Sequence, residues 1–335
     1  MPPYGERMHV FAVFLAAVSA IGLAVGTHLQ HGAVRSQTTP TAASPRAAVL
    51  NALRRPSWLL GMGIITASTI LSIVALGLAP VALVQPIGAL SLVGATLISA
   101  RVLRVRLNRG LVGGIGLAVL SVGAFVGLSS GYVRDVRPAG TELFALAGLM
   151  LAMLVAAAIV ARASHGHLAR VITAGVLFGT VAAAVHIVAS EVIACLSGEA
   201  CRVVSLSGDL LALGTLLVLL LLGSMLGAWL VQTAYASGPP ETVLAGLTVI
   251  DPIVAVLVGA AILGEYVIMP MSVVLALAFA GIAACVGIAV IVRHHPGHVR
   301  ATTPRNQPPA SQEHTAPVAD SSGPGASMVL ECRSR

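Results

Sequence analysis

The stretch Leu210-Leu-Ala-Leu-Gly214-Thr-Leu-Leu-Val218-Leu-Leu-Leu-Leu222-Gly-Ser-Met225-Leu-Gly-Ala-Trp229-Leu-Val-Gln232 contains no charged side chain. Apolar and polar residues do not alternate along it, as they would in the strands of about ten residues that build a membrane barrel. A helix rises about 1.5 Å per residue, and about 20 apolar residues carry it across the hydrocarbon core of a bilayer. This run, read as a span over 209–235, is long enough. Working outward from it, eight more runs of the same kind appear, over about 8–30, 57–77, 81–101, 111–131, 141–161, 170–191, 240–264 and 269–292. Trp58, Tyr132, Tyr235 and Tyr266 fall at or near span ends, where amphipathic rings favour the headgroup zone. The expected fold class is all-α, a polytopic membrane protein of about nine transmembrane helices in two inverted repeats.

Composition excludes other classes. Of 335 residues, 57% are hydrophobic and 9% charged, and mean hydropathy is +0.96. A soluble domain carries about 25% charged residues. A soluble enzyme, a DNA-binding protein and a secreted disulfide scaffold are therefore excluded, and no enzyme is expected. All 19 basic residues are Arg. With no Lys there is neither a Walker A lysine nor a Schiff-base lysine. The net charge of +7 is explained by topology rather than by nucleic acid. Only Arg7, Arg134, Arg137 and Arg202 fall on one side of the spans; the other fifteen fall on the other. The positive-inside rule then places the N-terminus outside and the C-terminus in the cytoplasm of a cell-membrane protein.

The first apolar run is longer than the 7–15 residues or so of a signal peptide, and is read as an uncleaved span. Residues 293–335, rich in Pro, Ser, Thr and Gly, are read as a disordered cytoplasmic tail. Cys195 and Cys201 bracket the external loop between spans six and seven. A disulfide and two free thiols both fit there. Cys285 lies inside span nine and Cys332 in the tail.

Two stretches read alike. Val84-Gln85-Pro86-Ile87-Gly88-Ala89 precedes Val93-Gly94-Ala95, and Ile250-Asp251-Pro252-Ile253-Val254-Ala255 precedes Val258-Gly259-Ala260. The match makes spans two to four equivalent to seven to nine. Span one then pairs with span six; each has a Gly-x-x-x-Gly (Gly22/Gly26, Gly175/Gly179) and a His near its end (His28, His186). The expected division is repeat 1 over about 8–131, a connector helix over 141–161 and repeat 2 over about 170–292. An odd connector makes the second unit enter from the opposite face, the inverted arrangement of many secondary transporters.

These residues also carry a family resemblance. Leu83-Val84-Gln85-Pro86 followed by small residues and an Arg cluster, then Leu247-Thr-Val-Ile-Asp251-Pro252 running to Leu263-Gly264-Glu265, resembles the drug/metabolite transporter (DMT) superfamily, EamA-like. It is most similar to nine-span actinobacterial members related to the magnesium-transporter branch. The resemblance covers about 8–292 and implies secondary transport, usually by ten helices in two inverted five-helix units. Set against that count, the Arg-derived orientation implies that the first family helix is absent.

An ionisable group within a span is costly and is a functional candidate by default. Asp251 lies near the middle of span eight, next to Pro252, which cannot donate a backbone N–H and so frees a carbonyl. A cation or proton site fits, and so does a structural Asp bonded to hydroxyls. Gln85 is its counterpart in span three, equally explained as a helix-to-helix hydrogen bonder. His186 and Glu191 lie in the outer third of span six, five residues apart and so on different faces; a proton relay there needs a third group. Gln232 in span seven is a further candidate for substrate or coupling-ion binding. His28 and His31 share a face at one end of span one, which suits weak metal binding or solvated interfacial histidines. Glu265 is read as an anchor for the outer end of span eight. Two letter matches are set aside. Gly127-Leu-Ser-Ser-Gly131 ends a membrane helix rather than forming a nucleophile elbow, and His165-Gly-His167 lacks further ligands.

The leading expectation is a secondary transporter moving a small metabolite or drug-like solute by alternating access. The alternatives are a magnesium or other divalent-cation transporter and a non-transporting membrane component of a cell-envelope complex. The expected partners are the lipid bilayer, a small-molecule or cation substrate and, for coupling, a proton. A homodimer is open, nucleic acid is not expected, and no cofactor is called for.

Overall fold

The computed structural model describes residues 3–35, 56–102, 108–136, 140–163, 166–198 and 207–294. The tail beyond His294, Cys201, Cys332, His165 and the arginine-bearing stretches 36–55 and 103–107 lie outside them, as do Arg137 and Arg202. Among the described residues ten helices follow in order: α1 Pro3–Arg35, α2 Pro56–Leu78, α3 Val81–Gly88, α4 Ser91–Val102, α5 Arg109–Ser130, α6 Gly140–Arg162, α7 His167–Leu196, α8 Ser207–Ser237, α9 Pro240–Ala261 and α10 Met271–Arg293. Among the described residues there is no strand, only an isolated bridge between Val133 and Tyr266. Hydrocarbon offers the backbone no hydrogen-bond partners, so a spanning segment must satisfy its own, and helices do so.

Among the described residues, nine stretches are long and apolar enough to cross a membrane. Eight are single helices. The ninth, Val81–Val102, consists of the half-helices α3 and α4, where the sequence reads as one uninterrupted span. Pro86 has no N–H to donate to the carbonyl one turn back. Shortly after it the chain passes through a tight turn, with Leu90 N–H on Ile87 O at 2.9 Å and Leu92 N–H on Ala89 O at 3.3 Å. Pro252 does not break its helix: α9 continues to Ala261. The two X-Pro sites therefore differ in outcome.

α7 is the central helix, and along it Val171, Ala174, Leu177, Val181, Ala183, Ala184 and Ile187 are buried. It packs on α2, α6, α8 and α9, while α1 packs on α2, and α5 on α10. Close approach depends on small residues. A Cβ on Gly179 would come within 2.8 Å of the Asp251 carbonyl oxygen. A Cβ on Gly26 would come within 2.9 Å of the Gly61 carbonyl oxygen. The two Gly-x-x-x-Gly pairs thus face different neighbours: Gly22/Gly26 seat α2, the second span, whereas Gly175/Gly179 seat α9, the eighth.

Contacts between loops define the two ends of the bundle. On one, Arg134 N–H donates to Glu265 O at 2.8 Å and Val267 N–H to Tyr132 O at 3.0 Å. His9 joins that end through Asp135, 2.9 Å away. At the other end His167 Nδ1 donates to Ala234 O at 2.9 Å, and Arg170 reaches Thr233 O at 3.4 Å.

Candidate functional site

The most built polar centre lies at the His9 end, where α2 gives way to α3. Pro80 stands between these helices, and the N–H groups of the first residues of α3 have no partner within the helix. Glu265 supplies one. Its Oε1 accepts from Val81 N–H at 2.9 Å and its Oε2 from Ala82 N–H at 3.1 Å. An anion at a helix N-terminus also meets the positive end of the helix dipole. Glu265 is 1% exposed.

Local sequence explains how a residue beyond α9 reaches inward. After Ala261 the chain turns at Gly264, whose φ of +64° is one that glycine adopts without a Cβ clash. Glu265 N–H then returns to Gly259 O at 3.0 Å. The carboxylate folds back over Gly259, where a Cβ would stand 2.5 Å from Oε2. Arg134 Nε donates to Gly264 O at 3.0 Å and holds the turn from outside.

His186 of α7 completes the centre. It is buried, and its Nδ1 meets the carbonyl of Leu76, near the end of α2. A carbonyl only accepts, so Nδ1 carries the proton. Nε2 then faces Glu265 Oε1 at 3.7 Å. Tyr266, next in the chain, pairs its hydroxyl with Ser129 Oγ at 3.1 Å. Burial pushes the Glu265 carboxyl above the usual glutamate range. His186 and the two backbone N–H groups pull it back, and Asp135 adds to the push. Burial likewise raises the Tyr266 phenol.

The second centre is Asp251, midway along α9. It lies beside the glycine face of α7, and its Oδ1 is buried without a hydrogen-bond partner. The structure does not bring the sequence candidates together into one site. Gln85 is half-buried on α3, beside the buried Pro86. Glu191 is half-exposed near the end of α7, a turn beyond His186. Gln232 is exposed on the outside of α8. His28 is half-buried on α1, and the side chain of His31 lies outside the described residues. Cys195 is disulfide-bonded; Cys201 lies outside the described residues. Cys285 is a free thiol. Among the described residues no three of His, Cys, Asp and Glu are grouped so as to hold a metal ion.

Sequence reading placed Glu265 at the membrane interface as a helix anchor; in the fold it is buried and crosses to another helix. It is also the third group that His186 lacked. The only local signal was Gly264, since glycine after a helix often adopts a positive φ and reverses the chain. Nothing local marks Val81 and Ala82, whose contribution is backbone.

These observations define a multi-pass helical membrane protein with a broken helix, a buried carboxylate at Glu265 and a half-buried one at Asp251. An uncharacterized protein of Corynebacterium glutamicum is 30% identical to it over 269 residues, covering 77% of this chain and 86% of that protein. The chain belongs to the same family as that protein. No family model matches the chain, and no solved structure matches it.

Proposed function

We propose that this chain is a secondary transporter of the drug/metabolite type, moving a small solute across the cell membrane by alternating access. The observation that carries the reading is the meeting of α3 with α9. One is half of a broken span, and the other carries a buried carboxylate oxygen that accepts no hydrogen bond. Discontinuous helices at the interface between two repeats hold the substrate and coupling ions in many transporters, because unwound backbone exposes groups that a continuous helix consumes. An unpaired buried carboxylate is expensive and suits a group that changes partner during a cycle. The arginine distribution supports an external N-terminus and a cytoplasmic C-terminus.

In this reading Asp251 binds the coupling ion or a polar group of the solute. The test is flux in proteoliposomes. Purified full-length protein is screened against metabolites and cations, with and without a proton gradient. Saturable uptake that responds to the gradient is expected for at least one solute. Uptake no faster than in empty vesicles across the whole screen would reject transport in favour of a non-transporting envelope component.

A further inference from the structure

The Glu265–His186 pair joins four parts of the fold: the end of α2 through Leu76, the start of α3 through Val81 and Ala82, α7 through His186, and the α9–α10 loop. Its chemistry is constrained. With Nδ1–H committed to a carbonyl, a neutral His186 would point the Nε2 lone pair at Glu265 Oε1. A lone pair facing a carboxylate is repulsive, so the two side chains keep at least one proton between them.

We propose that this pair is a proton-binding site, and that a second proton, taken up by Glu265, uncaps the N-terminus of α3. In the resting pair Glu265 is a carboxylate, accepting two backbone N–H groups. A proton from solvent at the His9 end binds a carboxylate oxygen, and the charge on Glu265 goes from minus one to zero. A neutral carboxyl is a weaker acceptor than a carboxylate, and the dipole of α3 loses its anion. The broken span is thereby loosened at the end nearest Gln85 and Pro86. The role in coupling rests on the transporter reading; the proton site itself does not.

The groups around Glu265 act on its proton affinity in both directions, and burial, which raises it, is the largest influence. His186 on α7 opposes it, while Asp135 in the 131–136 segment favours it. Arg134 in the same segment binds the Gly264 carbonyl, and His9 of α1 is bonded to Asp135. Tyr266 lies beside Glu265 on the same loop. Leu76 on α2, Val81 and Ala82 on α3 and Gly259 on α9 contribute backbone and no titrating group.

The experiment uses the full chain in lipid nanodiscs, without substrate. Infrared difference spectra are taken while pH falls from about 8 to about 5, a range that stays above the ordinary glutamate value. In an Asp251→Asn background, which removes the other carboxyl held within the bundle, a protonated-carboxyl band is expected to appear and to be missing once Glu265→Gln is added. In His186→Gln it should appear at higher pH by about one unit or more, because the cation that favoured the carboxylate is gone. Hydrogen exchange at Val81 and Ala82, corrected for the intrinsic rate, should rise about tenfold on acidification in wild type, as expected for loss of a charge-assisted bond. In Glu265→Gln it should not respond. If Glu265→Gln fails to fold, the band shift in His186→Gln and the wild-type exchange decide the matter. No band in this range, or one that Glu265→Gln leaves intact, overturns the proton site. A band without a change in exchange overturns the uncapping. Gradient-driven flux with a silent Glu265 would refute this site and leave transport standing. An intact titration with no flux for any solute would do the reverse.

Discussion

Glu265 is a buried carboxylate and Asp251 a half-buried one with a buried Oδ1, and their surroundings differ. Glu265 has a donor for each oxygen, whereas Asp251 Oδ1 has none. Asp251→Asn keeps the shape and removes the charge. We expect it to insert and fold normally and to lose gradient-driven uptake by tenfold or more, measured as initial rate in proteoliposomes. Uptake near wild type and still driven by the gradient would return Asp251 to a structural role. Glu265 makes a prediction about stability. Its carboxyl sits above the usual range in the folded protein, so in the interval between the two values the folded state binds more protons than the unfolded one. Linkage then makes stability fall as pH rises through that interval. Its contribution is complete below the ordinary glutamate value and lost above the raised one. The melting temperature in detergent should drop as pH rises across this window, and Glu265→Gln should flatten the curve. A wild-type curve already flat there would contradict the direction. The sequence singled out Asp251 because a charge within an apolar run is conspicuous. It misplaced Glu265 because a residue at the end of a run reads as interfacial, and only the turn at Gly264 directs it inward.

Among the helices, α7 and α9 approach closely at a glycine. A Cβ on Gly179 would fall 2.6 Å from Val254 Cβ and 2.8 Å from the Asp251 carbonyl oxygen. The helices must part to admit it. Gly179→Ala should therefore destabilise the protein by about 1–3 kcal/mol, the usual cost of overpacking, and should also displace Asp251. Gly148 of α6 is the control. It is exposed and a Cβ there meets nothing within 4 Å, so Gly148→Ala should be neutral or stabilising by up to about 1 kcal/mol through helix propensity. Equal melting temperatures for the two variants would reject the packing argument. The existence of the helices was legible, because an apolar run of this length in lipid has few alternatives to a helix. The break within 81–101 was not. Pro86 and Pro252 are the same residue in similar runs, yet only the span that holds Pro86 breaks, and it does so at the turn after Gly88.

For the whole molecule, the ends of the bundle are defined by contacts, and the orientation proposed above from the arginine distribution can be tested directly. A C-terminal reporter active only in the cytoplasm, together with an N-terminal tag reached by external label, is expected. The opposite pattern would reverse the orientation and place the Glu265 centre inside the cell. The apolar pattern alone made a multi-pass membrane protein legible. Which helices would touch was not, because lipid-facing and protein-facing surfaces are both apolar here: Leu221, Trp229 and Phe279 are exposed while Leu216 and Leu230 are buried.

Val81 and its cap are 184 residues apart in sequence. A ribosome adding about 5–20 residues per second makes the first long before the second. For roughly 10–40 s the start of α3 waits in the membrane without its carboxylate. During that interval a nascent chain carries an open seam that chaperones or proteases can recognise. Completion of the loop at Glu265 supplies the missing cap.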